Sequence, residues 1–329
     1  MSKAKTPDAP PRLKLKDFYK PKPSTQGATS NGWHQIMDAF YCLHLYKLRQ
    51  VVKLRKPLLG TPDPLAKGSL FHVGRAGWYE SGFKTSTAVI TGVRRAMEQA
   101  FEEAPHPMTH TALADAWSYV EQYIEHWSMR PLPKVVGVEY LLGPIPLSGA
   151  HKWWLQRTAR LDDVSFYPEA PNGALCIGEC KTTSVGADDV ANEYDLHGQL
   201  LMQYLLWRAA PNGEAKHGPA AYVMLDVVKK GYGKEKCTFA RMPVHVTQTS
   251  LGWYLPMMEA KLKETALITA ESQVPRNITA CTRQIGRMRV PCEFRELCKR
   301  GDSVASAYVT EDGTSAAKAF ASWKVKPWD

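Results

Sequence analysis

Hydrophobic residues recur at helical spacing through roughly the first 130 positions of the chain. Between Trp33 and Gln50, the side chains of Ile36, Phe40 and Leu43 fall on one face of a helix, because they are spaced three or four positions apart. Similar patterns, bounded by proline and glycine, predict further helices at roughly 67–80, 85–104 and 112–129. The region before residue 32 has few apolar positions and is expected to be a flexible basic arm.

The pattern changes from helical to strand-like beyond about residue 132. Three stretches rich in β-branched and aromatic residues, separated by the turn sequences PIPLSG and PEAPNG, predict an antiparallel meander. The expected strands span 135–143, 151–166 and 174–183. A helix at about 188–209, strands at 220–229 and 238–246, and a helix at about 250–270 are expected to follow. This order predicts an α/β or α+β core.

The composition shows that the chain can fold and indicates what it binds. Of its 329 residues 44% are hydrophobic, which excludes disorder of the whole chain. No apolar run approaches the ~20 residues of a membrane span and no apolar leader is seen, so we expect a soluble cytoplasmic protein, in the host cell if it is viral. The net charge of +10 favours a polyanionic partner such as DNA. Seven cysteines in a reducing compartment favour metal binding over disulfides.

The strand at 174–183 carries two opposite charges on one face. Glu179 and Lys181 are two positions apart and project together, and Asp162 ends the preceding strand. Carboxylates at adjoining strand ends can hold a divalent cation, and a nearby lysine can orient water or stabilise negative charge, a combination suited to phosphodiester hydrolysis. Asp163 is expected to point away from the face that Asp162 uses. The alternative is a Glu–Lys pair on a solvated face, with Asp163 in a turn.

Asp162 followed by Glu179-Cys180-Lys181 resembles the D…(D/E)-x-K signature of the PD-(D/E)XK nucleases, in particular their RecB-type branch. The resemblance implies a restriction-endonuclease-like core, with a mixed central sheet flanked by helices. In that branch a histidine in a G-x-x-x-H pattern supplies a further metal ligand, and the stretch from Gly68 to His72 matches this pattern.

The resemblance extends to the helix after the lysine strand, where the family places a glutamine and a tyrosine. Gln199 and Tyr204 lie on that expected helix. Gln203 directly precedes the tyrosine, so which glutamine faces the site stays open. In the family these residues would orient Lys181 or the scissile phosphate.

Four cysteines give a second, independent signal. Cys42 precedes the expected core, whereas Cys281, Cys292 and Cys298 follow it, and four thiolates can ligate zinc or an iron–sulfur cluster. The arrangement resembles a subset of RecB-type nucleases that includes AddB and the exonucleases of CRISPR adaptation. That resemblance implies a [4Fe-4S] cluster that ties the two ends of the chain together.

The sequence thus predicts a metal-dependent DNA exonuclease that acts on single-stranded or end-exposed DNA in recombination, repair or processing. His72, Asp162 and Glu179 would bind Mg²⁺ or Mn²⁺, and Lys181 would position the attacking water. A helicase or recombination protein is a possible partner. The alternatives are a non-catalytic DNA-binding or scaffold protein with a zinc–cysteine site and a structure-selective endonuclease on the same core.

Basic residues beside the expected site are candidate DNA contacts. They are Arg157, Arg160, Lys229, Lys230, Arg283, Arg287 and Arg289, with Trp153 or Trp154 as a stacking partner. The predicted organisation is a flexible basic arm (1–31), a helical N-terminal region with Cys42 and His72 (32–132), a nuclease core (133–272), an iron–sulfur cysteine segment (273–302) and a C-terminal tail (303–329).

Overall fold

A five-stranded mixed sheet forms the centre of the computed structural model. The structure describes residues 32–57, 61–146, 156–194, 197–231, 235–285, 288–323 and 326–328. The strands of the sheet are β1 (Lys134–Pro146), β2 (Gln156–Phe166), β3 (Leu175–Thr183), β4 (Tyr222–Lys229) and β5 (Thr238–Val244), which lie in that order. The predicted α/β class, with a mixed sheet flanked by helices, is confirmed.

The C-terminal end of β3 pairs with β4 but not with β2. β1, β2 and β3 form the expected antiparallel meander, β4 pairs parallel to β3, and β5 closes the sheet antiparallel to β4. The pairing between β3 and β4 continues to Thr183, whereas the pairing between β2 and β3 stops at Asp163 and Gly178. The end of β3 that carries Glu179 and Lys181 is therefore separated from β2.

Helices cover both faces of the sheet. On one face, α3 (Asp63–Glu80), α4 (Thr87–Glu102) and α5 (His110–Ser128) enclose an apolar core to which the sheet contributes Cys180 and Val228. On the other face, α1 (Trp33–Tyr41), α7 (Gly198–Ala209) and α9 (Gln248–Ala266) pack against Ile177 and Leu225. The chain crosses between the parallel strands β3 and β4 through α6 (Ala187–Tyr194), α7 and α8 (Glu214–His217).

Two long helices expected from the sequence are each divided in the structure. The first ends at Cys42, whose extended backbone separates α1 from α2 (Leu43–Tyr46) and the π-helical turn Lys47–Val51. Asn277 binds at this break, because its backbone N–H donates to the Cys42 sulfur and its side chain donates to the Tyr41 carbonyl. The second is divided before Gly198, between α6 and α7.

The C-terminal segment packs against the region just after Cys42. Its elements are the hairpin of β6 (Thr282–Ile285) and β7 (Met288–Pro291), and the helices α10 (Arg295–Arg300) and α11 (Ala316–Ala319). Tyr308, Phe320 and Trp328, from the expected tail, are buried in one cluster with Leu45 and Leu48. The domain boundaries remain predictions. Among the described helices, none has the length and apolar character needed to cross a membrane.

Candidate active site

His72 reaches the sheet because Gly68 allows its helix to approach β3 closely. A Cβ atom at position 68 would lie 3.2 Å from the Thr182 hydroxyl oxygen, which is tighter than most side-chain contacts. One turn later, the His72 Nδ1 atom lies 3.5 Å from an oxygen of Asp162. The G-x-x-x-H pattern thus has a geometric reason. The glycine allows α3 to lie close to β3, and the histidine, on the same face of α3 one turn later, reaches the sheet.

Asp162 lies where β2 and β3 separate. Its second carboxylate oxygen accepts a hydrogen bond of 2.6 Å from the Cys180 backbone N–H. Cys180 lies beyond the last residue of β3 that pairs with β2. Burial by itself would raise the pKa of Asp162, but His72, Arg75 and this N–H lower it below its usual range. Burial likewise disfavours the charged His72, yet the Asp162 carboxylate overcomes this and raises the pKa of His72. Asp162 therefore stays ionised and is available as a ligand.

Glu139 of β1 joins His72 and Asp162 as a residue that the sequence analysis missed. One ligand atom from each of these three side chains lies within 4.8 Å of the other two. Burial and the Asp162 charge raise the pKa of Glu139. The available signal was a lone carboxylate in the apolar stretch VVGVEYLLG, but its position opposite Asp162 requires the strand register.

Glu179 and Lys181 form a second, adjoining group. Glu179 is only 3% exposed, and its two carboxylate oxygens accept hydrogen bonds from Gln199 (2.7 Å) and Gln203 (2.6 Å) of α7. The Lys181 ammonium pairs with Glu179 and donates to the side-chain oxygen Oε1 of Gln199 at 3.4 Å. Both glutamines thus bind Glu179, which resolves the choice that the sequence left open. The proposed ligand role of Glu179 stays a prediction.

Tyr204 occupies a different environment from the two glutamines. It packs at the edge of the apolar core on its face of the sheet. Burial raises its pKa, and the charged groups that affect it are Arg208 and Glu214 rather than Lys181. Its proposed role in orienting Lys181 also stays a prediction.

A buried ionic network anchors α3 behind the site. Arg75, three residues after His72, donates to Asp163 (2.7 Å) and to Asp226 (3.2 Å). Ser165 and Tyr167 also donate to Asp163, and Gly178 leaves the space that the Asp163 carboxylate fills, since a Cβ atom there would lie 2.1 Å from it. The network fixes the helix that carries His72 to the strand that carries Asp162.

The expectation that Asp163 points away from the site face is therefore wrong, as is its placement in a turn. Asp163 lies within β2, is fully buried, and contacts the same helix as Asp162 does. Strict alternation fails here because β2 loses its β3 partner at this point.

The four candidate cluster ligands lie in one region, where the C-terminal segment meets the N-terminal helices. Burial raises the pKa of Cys298 to about 11, and Cys292, Cys281 and Cys42 contribute to this increase through their proximity. The Cys292 backbone N–H also donates to the Cys281 carbonyl at 2.9 Å. Cys42, Cys292 and Cys298 pack against the same apolar cluster.

The candidate DNA contacts are in unlike environments. Arg157 is 8% exposed, and burial lowers its pKa to about 10, whereas Arg160 is more exposed and lies 3.8 Å from Glu139. Lys229 ends β4, and the next residue, Lys230, has a pKa lowered by burial and by Lys67. Arg283 and Arg289 belong to the β6–β7 hairpin, and Arg287 lies outside the described residues, as do Trp153 and Trp154.

Comparison with known proteins gives little further guidance. No protein-family model matches this sequence, and no curated protein matches it significantly. Among solved structures, the chain is similar to a candidate exonuclease from Eubacterium rectale, with 13% sequence identity and a TM-score of 0.42 over 77% of this chain and 90% of that one.

Proposed function

We propose that this protein is a metal-dependent nuclease that hydrolyses phosphodiester bonds in DNA. The observation that carries the proposal is the placement of His72 and Asp162 beside the Glu179–Lys181 pair, where β2 and β3 separate. Imidazole and carboxylate groups suit Mn²⁺, and carboxylate groups suit Mg²⁺. Because Asp162 is held ionised and His72 is about one-third exposed, these residues fit a divalent cation.

A divalent cation at this site would lower the pKa of bound water and neutralise charge on the phosphate. The chain's own residues supply the remaining functions. Gln199 and Gln203 fix the Glu179 carboxylate, which in turn fixes the Lys181 ammonium. In this position Lys181 would orient the attacking water and stabilise the negative charge that develops on the phosphate. The Lys181 charge also lowers the pKa of His72, which is consistent with an action of the two groups at one site.

DNA is the proposed substrate because of the net charge of +10 and the lysines beside the site. Lys67, just before Gly68, lies close enough to Lys230 to lower its pKa. A phosphate group would be a favourable partner for Lys230 in particular, because Lys67 is already paired with Asp115. Within this proposal the enzyme is an exonuclease acting on single-stranded or end-exposed DNA in recombination, repair or processing, alongside a helicase or recombination protein.

End-labelled digestion tests the proposed function. Of single strands blocked at the 5′ or the 3′ end and incubated with Mg²⁺ or Mn²⁺, at least one should be shortened from its free end, and EDTA should abolish the reaction. Cleavage at internal positions of blocked or branched DNA would instead indicate a structure-selective endonuclease. DNA binding without cleavage under any metal condition would contradict the nuclease proposal and favour the scaffold alternative.

We also propose that Cys42, Cys281, Cys292 and Cys298 bind a [4Fe-4S] cluster. Burial and the other three cysteines raise the pKa of Cys298 although Arg276 lowers it, and a bound metal group would stabilise the thiolates that the cluster requires. The break at Cys42 supports the same assignment, because it turns this residue out of a helix toward the C-terminal segment. Such a cluster would stabilise the packing of the two ends of the chain.

Anaerobically purified protein should be coloured and contain iron and acid-labile sulfide, because iron–sulfide charge transfer absorbs visible light and filled-shell zinc does not. Cys298→Ser should lose the colour and lower the melting temperature, since metal-binding free energy also contributes to folding. Cys237→Ser is the matched control, as this buried thiol lies near Lys230, away from the other four. Stoichiometric zinc without sulfide, or full iron content in Cys298→Ser, would contradict the assignment.

A further inference from the structure

We infer that Glu139 is a further protein ligand of the cation in the proposed site, beside His72 and Asp162. The inference rests on the proposed function but goes beyond it, because the nuclease signature in the sequence does not include this residue. It is carried by the register of β1 against β2, by a break in the alternation of both strands, and by the charges at that point.

Glu139 and Asp162 occupy the facing positions between two regular pairs of β1 and β2. These flanking pairs are Val138–Asp163 and Tyr140–Leu161. One ligand atom of each carboxylate lies within 4.8 Å of the other. Both of them lie within 4.8 Å of the His72 ligand atom.

Both strands interrupt their alternation at this point. On β1, Val138 packs on the α3 side of the sheet, whereas Tyr140, two residues later, packs on the α7 side. On β2, Leu161 and Val164 share the α7 side although they are three positions apart. In regular strands neither arrangement occurs, because side chains two positions apart share a face. The two interruptions bring Glu139 and Asp162 to His72 on α3.

The backbone of Glu139 has a φ of +47°, in the left-handed region that residues other than glycine seldom adopt. Such conformations persist where the surrounding structure enforces them, and they are concentrated at functional sites. Here the enforced conformation brings two like charges together. The Arg160 guanidinium, 3.8 Å from Glu139, is partly exposed and therefore offsets this repulsion only weakly. A cation between the carboxylates and His72 would compensate for it directly.

Manganese binding by the full-length protein tests the inference without reference to cleavage. In titration calorimetry with Mn²⁺, Glu139→Gln should weaken the affinity at least 10-fold, because loss of even a supporting group around a metal typically costs 10- to 100-fold. Glu98→Gln removes the same charge from an exposed pair with Arg94 and should leave the affinity unchanged. Without metal, Glu139→Gln should melt no lower than the wild type, since it removes repulsion, while the rise in melting temperature with Mn²⁺ should shrink.

Each outcome decides between the two proposals. If the wild type binds Mn²⁺ and Glu139→Gln binds it equally well, Glu139 is not a ligand, while the nuclease proposal stands. The same conclusion follows if Glu139→Gln lowers the metal-free melting temperature and keeps the full Mn²⁺ effect, which is the signature of a structural role. If the wild type itself binds no divalent cation, both proposals fail.

Discussion

Lys181→Ala should cleave DNA roughly 100- to 1000-fold more slowly than the wild type and bind DNA with the same affinity. Removal of one electrostatic contact to the transition state typically costs about 3 to 4 kcal/mol. The Lys181 ammonium is held by Glu179 and Gln199, whereas His72 and Asp162 make their own contacts and should still bind the cation. DNA affinity should persist because it depends on many phosphate contacts.

Single-turnover cleavage, together with equilibrium binding in Ca²⁺, measures both quantities. Lys263→Ala is the control, because this lysine is exposed on α9 and pairs with Glu259 of the same helix. Glu179→Ala should be as slow as Lys181→Ala, since Glu179 holds the lysine and both glutamines. Wild-type cleavage by Lys181→Ala would refute the proposed site geometry.

Asp163→Ala should lower the free energy of unfolding by about 3 to 5 kcal/mol, the usual cost of breaking a buried ion pair from one side. Arg75 is only 1% exposed, so removal of Asp163 leaves a buried guanidinium without its 2.7 Å partner. Ser165 and Tyr167 lose an acceptor at the same time. Asp226 still contacts Arg75, but its carboxylate is shared with Arg241 and Tyr123.

Urea unfolding monitored by circular dichroism provides the measurement. Asp115→Ala is the matched control, since Asp115 pairs with Lys67 at 2.6 Å where both side chains still reach solvent, and its loss should cost at most about 1 kcal/mol. Equal losses in the two variants would show that the buried network does not stabilise the fold as argued. Asp163 holds α3 in place through Arg75, so its loss should displace His72. Slow cleavage by Asp163→Ala would therefore reflect this displacement and not the loss of a metal ligand.

Several parts of the fold and site follow from local sequence alone. Side-chain periodicity determines most of the helices and strands, including the β1–β2–β3 meander, because each buries an apolar face whose spacing is visible in the sequence. The shared face of Glu179 and Lys181 follows from their two-residue spacing. Gly68 and His72 are likewise one helical turn apart, so their relation to each other needs no tertiary information.

Other features depend on contacts between distant parts of the chain. The helix break at Cys42 occurs without a local glycine or proline, where Asn277, 235 residues away, binds the exposed backbone and sulfur. The burial of Tyr308, Phe320 and Trp328 depends on the apolar surface just after Cys42, so a segment that looks like a polar tail becomes part of a core. No local pattern encodes either packing.

In the proposed metal site, some features likewise follow from local sequence and others from tertiary contacts. The sequence by itself determined which residue types converge at the ends of β2 and β3, because strand alternation and helical spacing are local properties. Only the tertiary structure decided that Glu139 opposes Asp162, that Gln203 shares Glu179 with Gln199, and that Asp163 contacts α3. The physical reason is that register and interrupted alternation depend on where strands pair and separate, which is settled by packing between elements far apart in the chain.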